Sequence, residues 1–299
     1  PADDTPLSAR SFVDILYEAG LDEAWCRFIA CDIPTAEKLV SDERVAFLSF
    51  IGSARVGWML RSKLAPGTRC ALEHGGAAPV IVDESADTDA MIPLLVKGGF
   101  YHAGQVCVSV QRIFAPPERA RDIADALAEQ ASKLLVGDAV EESTEVGPLI
   151  RPREVDRVEE WLQEAVDGGG TVITGNRRLG DTTFAPTVIL DPPPGCRLSM
   201  QEIFGPAIAV YSSANLDDSI TRANALPWAF QASCFTNRLD HAMKCIQELD
   251  ASAVMINDHT AFRVDWMPFA GRRQSGYGIG GIGYTMHDMT QDKMAVVKL

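Results

Sequence analysis

Basic side chains are in short supply in this chain. Its 299 residues carry 27 Lys and Arg against 41 Asp and Glu, a formal net charge of −14 with the five His neutral. Binding to a phosphate backbone needs clustered Lys and Arg, so this balance argues against a nucleic-acid partner. No run of about 20 apolar residues is present, which argues against a membrane-spanning helix. The opening Pro1-Ala2-Asp3-Asp4 has neither the basic nor the apolar region of a signal peptide. Cysteine is sparse and scattered, at positions 26, 31, 70, 107, 196, 234 and 245. The number is odd and no C-x-x-C pair occurs, so neither a disulfide framework nor a zinc knuckle is expected, and a reducing, cytoplasmic setting fits best. The five histidines form no H-x-x-x-H pair and none stands at zinc spacing from a cysteine, so no metal is expected. No repeat or low-complexity tract appears. What is present is a hydrophobic fraction of 46% and a charged fraction of 23%, the composition of a folded globular chain with one large domain or two.

Periodicity divides the chain into alternating elements. A helical stripe runs from Ser8 to Gly20, and a buried strand from Val45 to Phe50 precedes a helix carrying Val56, Met59, Leu60 and Leu64. Strands at 69–73, 79–82, 110–115, 171–174, 187–190, 207–211, 232–235 and 253–256 interleave with helices at 87–102, 118–135, 153–167, 216–225 and 239–249. This rhythm predicts an α/β fold with largely parallel sheets. The tail, 293–299, reads as an apolar strand that needs a partner, which suggests pairing between subunits.

Several short motifs sit at element boundaries. Phe50-Ile51-Gly52-Ser53 joins a strand to a helix, where free backbone N–H groups make a phosphate site; by itself it reads more readily as an N-cap serine after a turn glycine. Glu73 stands before Gly75-Gly76 at a strand end, placed to act as a general base or simply to face solvent. Cys107, in Gly104-Gln105-Val106-Cys107, falls between a helix and a strand. A nucleophilic thiolate there needs partial exposure and a lowered pKa, whereas a cysteine by default is a small buried hydrophobe. Gln201-Glu202-Ile203-Phe204-Gly205-Pro206 holds a Glu and a Phe on a rigid turn. Gly278-Ile279-Gly280-Gly281-Ile282-Gly283 matches the dinucleotide fingerprint in letters only. It lacks the preceding strand and following βαβ unit, and is read as a flexible loop.

Taken in order, Phe50-Ile-Gly-Ser53, Leu72-Glu73-x-Gly-Gly76, Gly104-Gln-Val-Cys107, Gly147-Pro-Leu-Ile150, Glu202-Ile-Phe-Gly-Pro206 and Pro268-Phe-Ala-Gly…Gln274-Ser-Gly276 resemble the aldehyde dehydrogenase superfamily over essentially the whole chain. The resemblance implies the aldehyde dehydrogenase-like α/β fold. Residues 1–75 would be the later part of a Rossmann-type NAD(P)-binding domain, 76–277 the catalytic thiol domain, and 278–299 an arm with the oligomerisation strand of a homodimer or homotetramer. It implies NAD- or NADP-dependent oxidation of an aldehyde to its acid. Cys107 would be the nucleophile and Glu73 the base that activates water. Glu202 would hold the nicotinamide ribose, with Phe204 beside the ring, Gly52 and Ser53 at the pyrophosphate, Val56 at the adenine and Asp3 at the adenine ribose.

The chain also departs from that pattern. His74 stands where the resemblance expects leucine, and Asp3 where it expects glutamate. The segment with the family's oxyanion Asn and ribose-binding Lys is not in this sequence, so the 299 residues alone are expected to lack full activity. An inactive structural remnant or a CoA-acylating enzyme are the alternatives. The stretch from Asp258 to Trp266 is most similar to the branch of lactaldehyde, non-phosphorylating glyceraldehyde-3-phosphate and sulfolactaldehyde dehydrogenases. In that reading Arg263 or His259 neutralises an anionic or hydroxylated tail of a short aldehyde, while a structural ion pair for Arg263 is an equal alternative.

Overall fold

The computed structural model describes all 299 residues, and they fall into two compact units. The first comprises residues 1–48 and 59–69. It contains α1 (Pro6–Glu18), which opens on a proline, and α2 (Ile33–Val40), whose N-cap Asp32 accepts the Thr35 N–H at 3.0 Å. In this unit Val13 is the buried residue of α1, while Leu7, Phe12, Ile15 and Trp25 are exposed.

The second unit comprises residues 49–58 and 70–299. Along the chain come β1 (Phe47–Ile51), α3 (Ala54–Ser62), β2 (Arg69–Glu73), β3 (Ala78–Val82), α4 (Thr88–Phe100), β4 (Val110–Ala115), α5 (Pro117–Ala131), α6 (Pro152–Asp167), β5 (Thr171–Thr174), β6 (Thr187–Leu190), α7 (Arg197–Met200) and β7 (Ala207–Ser212). There follow α8 (Leu216–Asn224), β8 (Trp228–Ala229), β9 (Gln231–Phe235), α9 (Leu239–Glu248), β10 (Ala253–Ile256), β11 (Arg272–Arg273), β12 (Gly276–Tyr277) and α10 (Ile282–Asp288).

The main sheet has the order β10-β9-β3-β4-β7-β6-β5, and every pairing is parallel except β5 with β6. Every residue of β4 and β9 is buried, as expected for strands covered on both faces. Met91, Leu95 and Phe100 of α4, Ile123 and Leu127 of α5, and Leu162 of α6 supply fully buried side chains, each contributing about 1.5–3 kcal/mol. No helix is long and apolar enough to cross a membrane.

This topology places the chemistry. The strands β3, β4 and β7 are adjacent and parallel. Glu73 to Gly76 immediately precede β3, Cys107 precedes β4, and Glu202 to Pro206 precede β7. Three motifs far apart in the chain therefore meet at one amino-terminal edge.

Three expectations are corrected. Residues 293–299 form no strand and lie exposed, because a strand needs a hydrogen-bonding partner and the single chain offers none there. The helix expected over 87–102 ends at Phe100, and the backbone turns left-handed from His102. The glycines 278–283 are no simple loop: Gly280 pairs with Phe269 and Gly283 lies inside α10.

Candidate active site

Cys107 is delivered by a strained turn. After α4, His102, Ala103 and Gly104 take φ of 51°, 55° and 70°, a region that L-residues enter only when their surroundings hold them. Gln105 supplies part of that hold. Its Nε2 donates to the carbonyls of His102 and Pro148, both at 3.1 Å, and its Oε1 accepts the Ile150 N–H at 3.0 Å. The Gly147-Pro-Leu-Ile150 motif thus acts as a brace for the cysteine turn. A side chain on Gly104 would fall on the carbonyl of Gly205, so the two turns pack backbone to backbone.

The partner turn carries Glu202 and Phe204. Phe204 has φ of 42° and is 39% exposed. This segment is tied down by Gln111, a buried residue of β4. Its Nε2 donates to the carbonyls of Leu198 at 2.9 Å and Gln201 at 2.7 Å, and its Oε1 accepts the Ile203 N–H at 3.0 Å. The Glu202 carboxyl is tucked against the glycine pair after β2. Its Oε1 accepts the Gly76 N–H at 3.2 Å, and a side chain on Gly75 would fall on it.

Glu73 ends β2. Its backbone pairs with Gly276 of β12, and the next N–H, of His74, donates to the Ser275 carbonyl at 2.9 Å. The Ser275 hydroxyl accepts the Ala229 N–H at 3.0 Å. The Gln274-Ser-Gly276 motif therefore fastens the strand end that bears Glu73. Glu73 is also tied to the turn before α3: its carbonyl accepts the Gly52 N–H at 3.0 Å. Gly52 and the exposed Ser53 open α3, on which Val56 is half-buried, and the first turn of α3 contains no acidic residue. That absence suits an anionic group.

The electrostatics are those of a resting site. Cys107 is half-buried in a small apolar cluster with Val106, Val108, Phe230, Ala261 and Phe269. Burial pushes its thiol up to about 12; Glu202 and Glu73 add to the rise, while its own backbone N–H and Arg263 oppose it. The sulfur is thus held as a thiol, not the lowered-pKa thiolate that a nucleophile requires. Burial also raises Glu202 to about 8, against the Gly76 N–H and Arg157. Glu73 is raised by burial, with Arg263 opposing. The Arg263 guanidinium carbon stands 4.1 Å from the centre of the Phe269 ring, a cation–π contact.

Cys107, Glu73, Glu202 and Arg263 are accordingly brought together. His259 is not: its ring packs on α4 at Gly98, and its Nδ1 accepts the Ala261 N–H at 3.1 Å. Asp3 is exposed in the first unit. Sequence reasoning missed Gln105 as a brace, Gln111, Gly280 and Tyr101. The Tyr101 phenol is raised by burial and by Cys107, and nothing in its local sequence signals that neighbour.

Comparison with known proteins supplies a frame. A model described as the Aldehyde dehydrogenase family matches residues 1–295. A 3-sulfolactaldehyde dehydrogenase from Priestia aryabhattai is 36% identical over 300 residues, covering 100% of this chain and 62% of its own length. A glyceraldehyde-3-phosphate dehydrogenase from Methanocaldococcus jannaschii, solved with NADP, superposes with a TM-score of 0.92 at 32% identity, over 97% of this chain and 64% of that one. Aldehyde dehydrogenase 21 from Physcomitrella patens, solved with its product succinate, superposes with a TM-score of 0.90 at 32% identity, over 97% and 60%. This chain thus spans about 62% of the length of the sulfolactaldehyde relative.

Proposed function

The chain belongs to the aldehyde dehydrogenase family, and on that premise we propose that it carries the thiol chemistry of an NAD(P)-dependent oxidation of a short aldehyde to its carboxylic acid. The observation behind this reading is the convergence of Cys107, Glu73 and Glu202 at the amino ends of β3, β4 and β7. Within the second unit, Gly52 and Ser53 suit the phosphates of a dinucleotide, Val56 its adenosine half, and Glu202 and Phe204 its nicotinamide half. When bound, the dinucleotide accepts the hydride of the aldehyde carbon.

The chain's own residues do the rest. Cys107 gives up its proton to solvent, and its sulfur bonds to the aldehyde carbon as the carbon–oxygen π bond opens, forming a thiohemiacetal whose oxygen is charged. The Cys107 N–H donates to the oxygen that becomes charged. Once oxidised, the carbon remains on sulfur as a thioester. Glu73 takes a proton from water, the water oxygen bonds to the acyl carbon, and the carbon–sulfur bond breaks to release the acid, the proton held by Glu73 passing to the sulfur to restore the thiol. The raised Glu73 suits this task, because a base works best with a pKa near the working pH. Burial is the chief cause of the raised Cys107 thiol, so forming the thiolate needs a better-solvated sulfur or a closer positive charge than the resting site gives.

The substrate class we infer is an aldehyde with an anionic or hydroxylated tail, with Arg263 as its counter-charge. Arg263 is exposed beside Phe269 of the Cys107 cluster, and a guanidinium binds an anion through two parallel hydrogen bonds. The exposed Met294, Val296, Val297 and Leu299 suit strand pairing in a homodimer or homotetramer, and seven free cysteines suit the cytoplasm.

The test uses p-nitrophenyl acetate, which acylates a reactive thiol without a cofactor. The expected result is an acetyl group on Cys107, found by peptide mass spectrometry, that accumulates in Glu73→Gln and turns over in the parent chain. Aldehyde oxidation is followed in parallel as NAD(P)H formation. Labelling elsewhere than Cys107, or equal turnover in Glu73→Gln, overturns the assignment.

A further inference from the structure

Gly52 is clamped by two consecutive residues. Its N–H donates to the Glu73 carbonyl at 3.0 Å, and the His74 Nδ1 lies 2.9 Å from its carbonyl oxygen. A carbonyl only accepts, so Nδ1 bears the hydrogen and Nε2 is the bare nitrogen. His74 is 1% exposed, and its Nε2 has no hydrogen-bond partner. The ring is seated among Phe50, at 6.1 Å between ring centres, Trp58, edge-on at 5.8 Å, and the backbone of α3 at Gly57. A side chain on Gly57 would fall on the imidazole, so helix and ring pass each other only because this position is glycine.

A leucine, which the family resemblance expects here, fills such a hollow by packing alone. A buried imidazole with one nitrogen unsatisfied is costly, and what this one gains is backbone hydrogen bonding at Gly52 and Glu73. The peptide unit is planar and trans, so its C=O and N–H point opposite ways. Holding the Gly52 carbonyl inward therefore turns the Ser53 N–H outward, at the start of α3.

We propose that His74 is a positioning residue for the dinucleotide: it sets the orientation of the Gly52–Ser53 peptide and pins that turn to the strand end carrying Glu73. The proposal rests on reading Gly52–Ser53 as the turn that meets the cofactor's phosphates. It makes His74 the residue through which the nucleotide turn and the base share one scaffold.

Calorimetric titration with NAD and NADP on the full chain tests it, comparing the parent, His74→Leu and His74→Asn, each first matched for circular dichroism and melting. An Asn side-chain amide places a donor near the position of Nδ1, but packs worse than Leu. The expected result is a loss of affinity of about three- to tenfold in His74→Leu, with affinity in His74→Asn within about twofold of the parent. A role in packing alone predicts the opposite order. Nitrogen-15 NMR of the parent is expected to show the neutral Nδ1–H tautomer at His74. Parent-like affinity in His74→Leu, or an Nε2–H tautomer, overturns the proposal while leaving the cofactor reading intact. Absence of any binding by the parent overturns the reading of the turn, and the proposal with it.

Discussion

A side chain on Gly280 would stand where the Glu73 carboxylate lies. Gly280 is not free to retreat, because it exchanges two hydrogen bonds with Phe269, at 2.7 and 3.0 Å. The bare backbone thus forms the recess in which the Glu73 carboxylate rests. Gly280→Ala is expected to expel the carboxylate and slow deacylation by about tenfold, part of the 10²–10⁴ that a positioned base supplies. With p-nitrophenyl acetate, the first-turnover burst should persist while steady-state release falls. An unchanged steady state would show that Glu73 works from another position.

The thiol of Cys107, held up at about 12, predicts a pH profile. Alkylation by iodoacetamide follows the thiolate fraction, so its rate should keep climbing from pH 7 to 9 without levelling, by less than tenfold per unit where Glu202 takes up its charge. Removing a neighbouring negative charge favours the thiolate, so Glu202→Gln and Glu73→Gln should both react faster. The Glu202 effect carries its own signature. That carboxyl titrates at about 8, so it is neutral at pH 6 and charged at pH 9. The substitution should change little at pH 6 and accelerate alkylation severalfold at pH 9. A plateau below pH 9 in the parent would contradict the burial argument.

Arg263 opposes the rise of both Glu73 and Cys107 and is proposed as the counter-charge to the substrate's anion. Two effects should then appear together in Arg263→Ala. The KM ratio of anionic to neutral aldehydes is expected to rise by about 10- to 100-fold, the worth of a charge-assisted hydrogen bond. Alkylation of Cys107 should slow, since a favourable positive charge is lost. A shift in alkylation alone, with the KM ratio unchanged, would leave Arg263 as a local electrostatic element and remove it from substrate recognition.

Cys107, Glu73 and Glu202 were legible as candidates only through the order of their motifs, since each alone reads as readily as a buried cysteine, a solvent-facing strand end or a turn boundary. The α/β rhythm was legible from local periodicity, and most strands fall within one or two residues of expectation. What escaped was everything set by distant partners. Gln111 reaches residues about ninety positions away, and nothing nearby distinguishes it from any strand glutamine. Gly280 sits in a glycine-rich run whose spacing imitates a dinucleotide fingerprint, and only the pairing with Phe269 reveals its use. His259 and Arg263 lie four residues apart, yet the loop turns one toward α4 and leaves the other near Glu73. The tail was read as a strand from its apolar residues, but strand structure belongs to a pair of segments rather than to one.

The part played by Gln111 can be measured directly. Its side chain satisfies two carbonyls and one N–H in the segment that presents Glu202, and it is 3% exposed. Leucine is close in size but offers no hydrogen bond, so Gln111→Leu leaves three backbone groups unpaired in a dry interior. At about 1 kcal/mol or more for each, the expected loss is about 3 kcal/mol, a fall in Tm of about 6–10 °C for a unit of this size. The segment should also loosen around Glu202. Water entering there relieves the burial that raises the carboxyl, so its titration should move down from about 8 toward the ordinary glutamate range. In the double variant with Glu202→Gln, the Gln111→Leu change should therefore no longer shift the pH profile of Cys107 alkylation, although the loss in Tm remains. Retention of the pH shift in the double variant would mean that Gln111 acts on the thiol by a route other than Glu202.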